Sequence, residues 1–388
     1  MHSTHLRKDS IHGLMMGVAI GDAVGLSREG LRRRVALKMF GRPILAYRLL
    51  PGFGIYSDDT QLMLMAAQAI LRSYSEWRPF RRSYLSRLAW YPLSVPVGAG
   101  RATILAALKS WFRATGLASG CNSAGNGPAT RAMFLTLALH GTDHRIAKWV
   151  EDSTRLTHTD PLAVDGCLVL SRLTQVAGTT RARPIDQLDS LQQAIAVSKE
   201  AAMRDKLSEL RPFLEQSRSP SAVARHFRWE SGISGFIVPT TVMAAYCFLR
   251  YPSNFDRAVL SAIRLGGDTD SVAAIVGGLV GAHIGYDNLP SDLVARIKVA
   301  PHDAAWIAEM AERLSHWPHG VDDLHFAPAL PSNPLMQVFR NVLMLMLVLV
   351  HIVLRTPFVL QSWLFLIQSR SKQRGLDSAS FTSAGTRS

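Results

Sequence analysis

"YSDDTQLMLMAAQAIL", residues 56–71, sets Asp58 and Asp59 side by side at the head of an almost wholly apolar run. The run has the length and apolar density of a core helix. A second stretch, "LGGDTDSVAAIVGGLVGA" at 265–282, repeats the arrangement with Asp268 and Asp270 ahead of a Gly-rich apolar run. Adjacent like charges repel, and burying a carboxylate is costly unless something positive pairs with it. N-capping accounts for one such element, because a helix N-terminus favours an acid. The recurrence points instead to one or two divalent cations. Magnesium prefers oxygen ligands and manganese tolerates them. Ser57 and Ser271 add oxygens, and neither cluster contains Cys or His, which argues against zinc.

Outward from these two stretches, the 388 residues are 48% hydrophobic and 19% charged, enough for a large core and unlike a disordered chain. Few segments alternate polar and apolar residues, and aromatic residues are sparse, so the expected class is all-α. Cys121, Cys167 and Cys247 lie far apart, as expected in a reducing compartment rather than in a disulfide framework. The formal net charge of +14 comes largely from arginine, including Arg32–Arg34 and Arg81–Arg82. No interleaved aromatic pattern or zinc-finger spacing accompanies it, which disfavours a nucleic-acid partner and leaves a solvated basic face near anionic lipid. The N-terminal run "GLMMGVAIGDAVGL" is interrupted by Asp22 and followed by Arg28 and Glu29, unlike a signal peptide.

Helices are expected at 10–26, 59–73, 80–91, 101–114, from Pro128 onward, and at 144–153, 161–177, 239–250 and 255–264. A long apolar helix should follow "GGDTDS", with a last surface helix at 295–315. Residues 27–56 read as a loop-rich crossing and 185–227 as peripheral helices. "NVLMLMLVLVHIVL", 341–354, is as apolar as a membrane span but too short, and Arg355 and Pro357 interrupt it. The expected organisation is a compact orthogonal multi-helix domain over 1–325. A membrane-associated or core-docked apolar segment at 335–368 and a basic disordered tail at 369–388 should follow.

Six motifs occur in order: "GVAIGDAVGLSREG", "YSDDTQ", "SAGNGPATRAM", "LTHTDP", "GISGFIVPTTVMAAYCFL" and "GGDTDSVAAIVGGLVGAHIG". Together they resemble the ADP-ribosylglycohydrolase family, the dinitrogenase-reductase-activating-glycohydrolase-like proteins, across roughly residues 10–290. The resemblance implies an all-α fold with two Mg or Mn ions in a central cleft. It also implies hydrolysis that frees ADP-ribose from modified side chains or small conjugates. By position it makes Ser57, Asp58, Asp59, Asp268, Asp270 and Ser271 the metal ligands; Ser57 and Ser271 stand where Thr is frequent in the family. It places Glu29 over the distal ribose, and makes "NSAGNG" a diphosphate loop with Ser123, Gly125, Asn126 and Gly127. It sets His158 beside the phosphates, with Asp22, Arg131 and Asp160 bracing the site. Ala124 occupies a slot where some relatives stack an aromatic on adenine, leaving Phe236 or Tyr246 for that role.

The expected reaction is metal-assisted glycosidic-bond hydrolysis, with Glu29 or Asp59 as the base. Two rivals are a two-metal phosphohydrolase of ADP-ribosyl compounds, releasing AMP and ribose phosphate, and a non-catalytic ADP-ribose-binding module. The expected setting is cytoplasmic, with 335–368 contacting anionic membrane.

Overall fold

Glycine recurs at every fourth position from Gly13 to Gly25, and the reason is a helix crossing. The computed structural model describes residues 2–383 other than 74–75, 116, 140, 182 and 316–328. The side chains of 2–7, 113–115 and 359–383 also lie outside the description. The helices that build or brace the site are α1 (His2–Gly25), α2 (Arg33–Phe40), α3 (Asp58–Leu71), α4 (Ala129–Ala138), α5 (Pro161–Thr179), α6 (Ile237–Arg250), α7 (Thr269–Ile284) and α8 (Pro334–Ser383). Among the described residues there is no strand, only isolated β-bridges between loops.

The central pair is α1 against α7. A methyl group added at Gly13, Gly17 or Gly21 would strike the carbonyl of Gly281, Gly277 or Ala273, and one at Gly277 or Gly281 would strike α1 in return. The backbones therefore meet with no side chain between them. Ile11, Leu14, Met15, Val18 and Ile20 on α1 and Val272, Ile275, Val276 and Leu279 on α7 fill the space on either side and are wholly or almost wholly buried. This crossing holds Asp22, near the end of α1, close to Asp270, near the start of α7; burial of both is complete or nearly so.

Most expected helices are present. Residues 187–226 hold four short peripheral helices, and the surface helix expected over 295–315 spans Ala304–Ser315. The crossing at 27–56 contains α2, which periodicity did not reveal. The domain boundary placed at 325 lies outside the described residues.

The helix α8 starts at Pro334 and runs through Pro357 to Ser383, so its last turns occupy part of the stretch that composition assigned to a disordered tail. Its 334–358 portion lies along the domain with one face. Arg340, Asn341 and Met344 are buried, His351 donates from Nε2 to the Leu49 carbonyl (3.0 Å), and Arg355 and Phe358 are half-buried. Apart from the adjacent Arg340 and Asn341, these positions are separated by three, four or seven residues, one face of a helix. The other face is apolar and open: Leu335, Phe339, Met346, Val350, Val353 and Leu354 are exposed.

Candidate active site

The loop after α1, the N-termini of α3 and α7, and the loop before α4 enclose one cavity of about 540 Å³. Glu29, Asp58, Asp59, Asp268, Asp270 and Ser271 line one side; Ser123, Gly125, Asn126, Gly127 and His158 line the other. Of the expected metal ligands, base and diphosphate-loop residues, all therefore line this cavity except Ser57, which is fully buried just behind Asp58.

The four aspartates are not caps. Asp58 and Asp59 lie inside α3, after its N-cap residue Ser57, which makes no side-chain capping bond. Asp268 stands at the N-cap of α7 and does not cap with its side chain either. The α3 amides are served from another helix: Asp22 accepts from Ser57 N at 2.7 Å, Thr60 N at 3.1 Å and Thr60 Oγ1 at 2.6 Å. Asp22 thus fixes the α3 N-terminus and leaves Asp58 and Asp59 to face the cavity. Thr130 on α4 donates to the Asp59 carbonyl at 2.9 Å and steadies the same turn.

Burial, then repulsion among themselves and from Asp22, Glu29 and Asp268, pushes the Asp58, Asp59 and Asp270 carboxyls well above the usual range. Ser271 pulls Asp59 back slightly by a hydrogen bond. Glu29 is raised to about 7, chiefly by burial and then by Asp268 and Asp22, with Arg355 opposing. Ser57 Oγ and Asp270 Oδ1 are buried and make no hydrogen bond. Crowded acids held up in pKa beside unpartnered oxygens are the electrostatic shape of a cation site. Among the described residues no three Asp, Glu, His or Cys side chains stand in ready coordination geometry. The donor set and its charge fit hard divalent ions, and the side chains are not drawn onto a common point.

A backbone clasp closes the floor. Gly30 N donates to Gly267 O (2.8 Å), Gly267 N to Leu31 O (3.0 Å), Ile233 N to Gly266 O (2.9 Å) and Asp268 N to Ile233 O (2.8 Å). Gly266 and Gly267 have φ of 76° and 81°, the left-handed region that glycine occupies without a Cβ penalty. This turn aims Asp268 into the cavity and ties the Glu29 segment to it.

The opposite wall is the 121–127 loop. It is held by Asn126 N to Gly235 O (3.0 Å) and Ile237 N to Ala124 O (2.8 Å). Gly125 and Gly127 do not have positive φ; a Cβ at either would press within 3.2–3.3 Å of the His158 ring, so glycine serves close approach here. Asn126 Nδ2 is committed to Asp268 Oδ2 (2.7 Å) and Thr240 Oγ1 (3.0 Å), which links the loop to the acidic wall. Ser123 Oγ accepts from Gly125 N at 3.2 Å. His158 hydrogen-bonds Thr157 Oγ1 through Nδ1 (3.0 Å). Burial, then Arg131, lowers its pKa to about 4, so it is neutral at pH 7.

The bracing residues divide. Arg131 is buried, bonding Ser153, Thr157 and Tyr84, and fixes the turn that carries His158. Asp160 caps α5 through Leu162 N (2.9 Å) and stands away from the cavity lining. Of the two aromatic candidates, Tyr246 is fully buried with its hydroxyl on the Phe213 and Arg218 carbonyls. Phe236 is 62% exposed and bridges Gly125, at the cavity edge.

Sequence reasoning missed Gly98, Arg101, Thr103 and Gly235, all in the lining. At Gly98 a Cβ would meet Asp58 Oδ1 at 2.6 Å, so the chain passes directly over that acid. Arg101 opens a helix, Arg101–Lys109, where a cation opposes the dipole. That mismatch was the available signal.

The sequence matches the profile of the ADP-ribosylglycohydrolase family over residues 3–321. It is 24% identical to an ADP-ribosyl-[dinitrogen reductase] glycohydrolase from Rhodospirillum rubrum, covering 74% of this chain and 90% of that one. Identity is 28% to the ADP-ribosylarginine hydrolase Tri1 of Pseudomonas putida strain GB-1 (81% and 80% covered) and 26% to human ADP-ribosylhydrolase ARH3 (72% and 86%). A solved structure titled as an ADP-ribosylglycohydrolase-related protein complex superposes with a TM-score of 0.62 at 26% identity, covering 80% of this chain and 98% of that one. An all-α fold with paired acids across a cleft, matched by this profile over most of its length, places the chain in the ADP-ribosylglycohydrolase family of hydrolases.

Proposed function

We propose that the protein releases ADP-ribose from modified side chains or small conjugates by metal-assisted hydrolysis of the glycosidic bond at the distal ribose. The observation that carries this reading is one cavity with a carboxylate wall facing a glycine-rich loop and a neutral histidine. Ser57, Asp58, Asp59, Asp268, Asp270 and Ser271 would hold two divalent ions, Mg or Mn. Bound there, the ions supply positive charge that orients ribose hydroxyls and lowers the pKa of water. The chain's own groups supply the rest. Glu29, raised to about 7, can both hold and give up a proton near neutral pH, as a general base requires. Asp59 is the alternative base. The wall of Ser123, Gly125, Gly127 and His158 receives the diphosphate, with Arg101 as an added cation. Phe236 offers adenine a flat apolar edge.

Three thiols, none paired in a disulfide, suit a cytoplasmic setting. The exposed apolar face of α8 and the basic surface suit contact with an anionic membrane.

The test is a panel of arginine-, serine- and acetyl-ester-linked ADP-ribose, assayed with Mg, with Mn and with EDTA. Free ADP-ribose as product supports the reading. AMP plus ribose phosphate would identify a phosphohydrolase, and tight ADP-ribose binding without turnover a binding module. Asp268→Asn should lose both divalent-ion binding, read by calorimetry, and turnover.

A further inference from the structure

The Glu29 segment is gripped by α8. Leu26, just before it, packs in a small cluster with Met344, Leu347 and Val348 of α8. Leu31, just after it, packs in another cluster with Phe358. Between them Arg355 donates from Nη1 to the Glu29 carbonyl (3.2 Å) and from Nη2 to the Ser27 carbonyl (2.6 Å). One turn of chain carrying the candidate base is thus held at both ends and in the middle by a single helix. The same helix also reaches the approach to α3 on this acidic wall: Arg340 donates to the Tyr56 carbonyl and stacks over the Tyr56 ring, 4.4 Å from its centroid, directly before Ser57 and Asp58.

What holds α8 there is incomplete within the chain. Only 17% of its most apolar window is buried. Over residues 334–358 its polar side chains Arg340, Asn341, His351 and Arg355 turn inward, and the outer face is almost continuous hydrocarbon. Water is a poor solvent for such a face. Charge selects the occupant. Arg33, Arg42 and Arg264, all exposed, line a surface cavity of about 370 Å³ with no acid in its lining, beside the α2 helix on which Phe358 rests; Arg28 at its base is buried and spent on the Ala36, Phe40 and Gly41 carbonyls. Arg370, Lys372 and Arg374 follow the apolar stretch in sequence. An apolar helix face bordered by arginines matches the surface of an anionic phospholipid bilayer, with headgroup phosphates at the arginines.

We infer that α8 lies in the interface of an anionic bilayer and that its seating fixes the Glu29 segment through Arg355, a positioning residue. The catalytic consequence rests on Glu29 acting over the ribose; the binding and ordering consequences do not.

The experiment uses the full chain with phosphatidylcholine vesicles, with and without phosphatidylglycerol. The expected result is flotation with the anionic vesicles only, lost in the outer-face variant Met346→Lys/Val353→Lys. Deuterium uptake at residues 26–31 should fall when anionic vesicles are added. Arg355→Ala should keep flotation, raise uptake at 26–31 and lower kcat about tenfold with KM little changed, and Arg355→Lys should recover part of each. Failure to float, flotation that ignores lipid charge, or a lipid-free dimer that shields the α8 face overturns the inference. So does unchanged 26–31 uptake in both Arg355 variants. A wild type that floats and orders 26–31 but hydrolyses no conjugate upholds the inference and rejects the hydrolase reading instead.

Discussion

Among the described residues two helices are long and apolar enough to cross a bilayer, and they have opposite fates. Residues 8–28, mostly α1, are buried over their whole apolar window; residues 334–358 of α8 are 17% buried. Mean hydropathy, 1.2 against 2.0, separates them weakly. What separates them is the kind of residue at helical spacing. The α1 helix repeats glycine every fourth position and so offers a groove that another helix backbone can enter. The α8 helix repeats large side chains on one face and hydrogen-bonding ones on the other, so it can lie on a surface but not pass through a core. The buried helix carries a site acid, Asp22, and the surface helix steadies the loop of another, Glu29.

The largest expected effect breaks the buried member. Gly17→Val forces a branched side chain into the Gly277 carbonyl, with no room to relax between two backbones. The expected loss exceeds about 4 kcal/mol, read as absent soluble protein or a collapsed melt. Next is the chemistry that the α1–α7 crossing assembles. Asp270→Asn should leave the melt of the metal-free protein unchanged or raised, because it removes a repelled charge, while turnover falls at least about 10²-fold.

A smaller effect is pH dependence. Asp58, Asp59 and Asp270 have folded-state pKa values above their unfolded ones. The native state therefore holds more protons than the unfolded chain, and metal-free stability falls as pH rises above about 4. The melting temperature of EDTA-treated protein should drop as pH rises above about 4, and manganese should flatten that slope by replacing the protons. A melt independent of both pH and manganese would remove the cation from the site. The smallest effect belongs to the surface helix: Val353→Gln, at a position 70% exposed, should move lipid-free stability by less than about 0.5 kcal/mol.

Much of the site was legible because its residues are chemically expensive where they stand. Paired aspartates ahead of apolar runs announce a compensated charge, and glycines in "SAGNG" and "LGGD" announce close approach or left-handed backbone. The residues that escaped notice, Gly98, Thr103 and Gly235, carry no such cost in sequence and matter only through what passes over them. Tyr246 and Phe236 were indistinguishable as aromatic residues of one motif, and burial alone parted them. The short α2 was hidden because its exposed residues mix Arg33, Arg34 and Lys38 with Leu37 and only Val35 and Ala36 are buried.

By itself the sequence determined an all-α protein, the acids that must meet and the family to which they belong. Those conclusions follow from local periodicity and from the cost of burying charge, which any fold must respect. Only the tertiary structure decided that Asp22 rather than the paired aspartates serves the α3 amides, and that Asn126 ties the two cavity walls together. It also decided that a C-terminal helix grips the Glu29 segment. Each of these joins residues far apart along the chain through the direction of one hydrogen bond, and direction exists only once the helices have crossed.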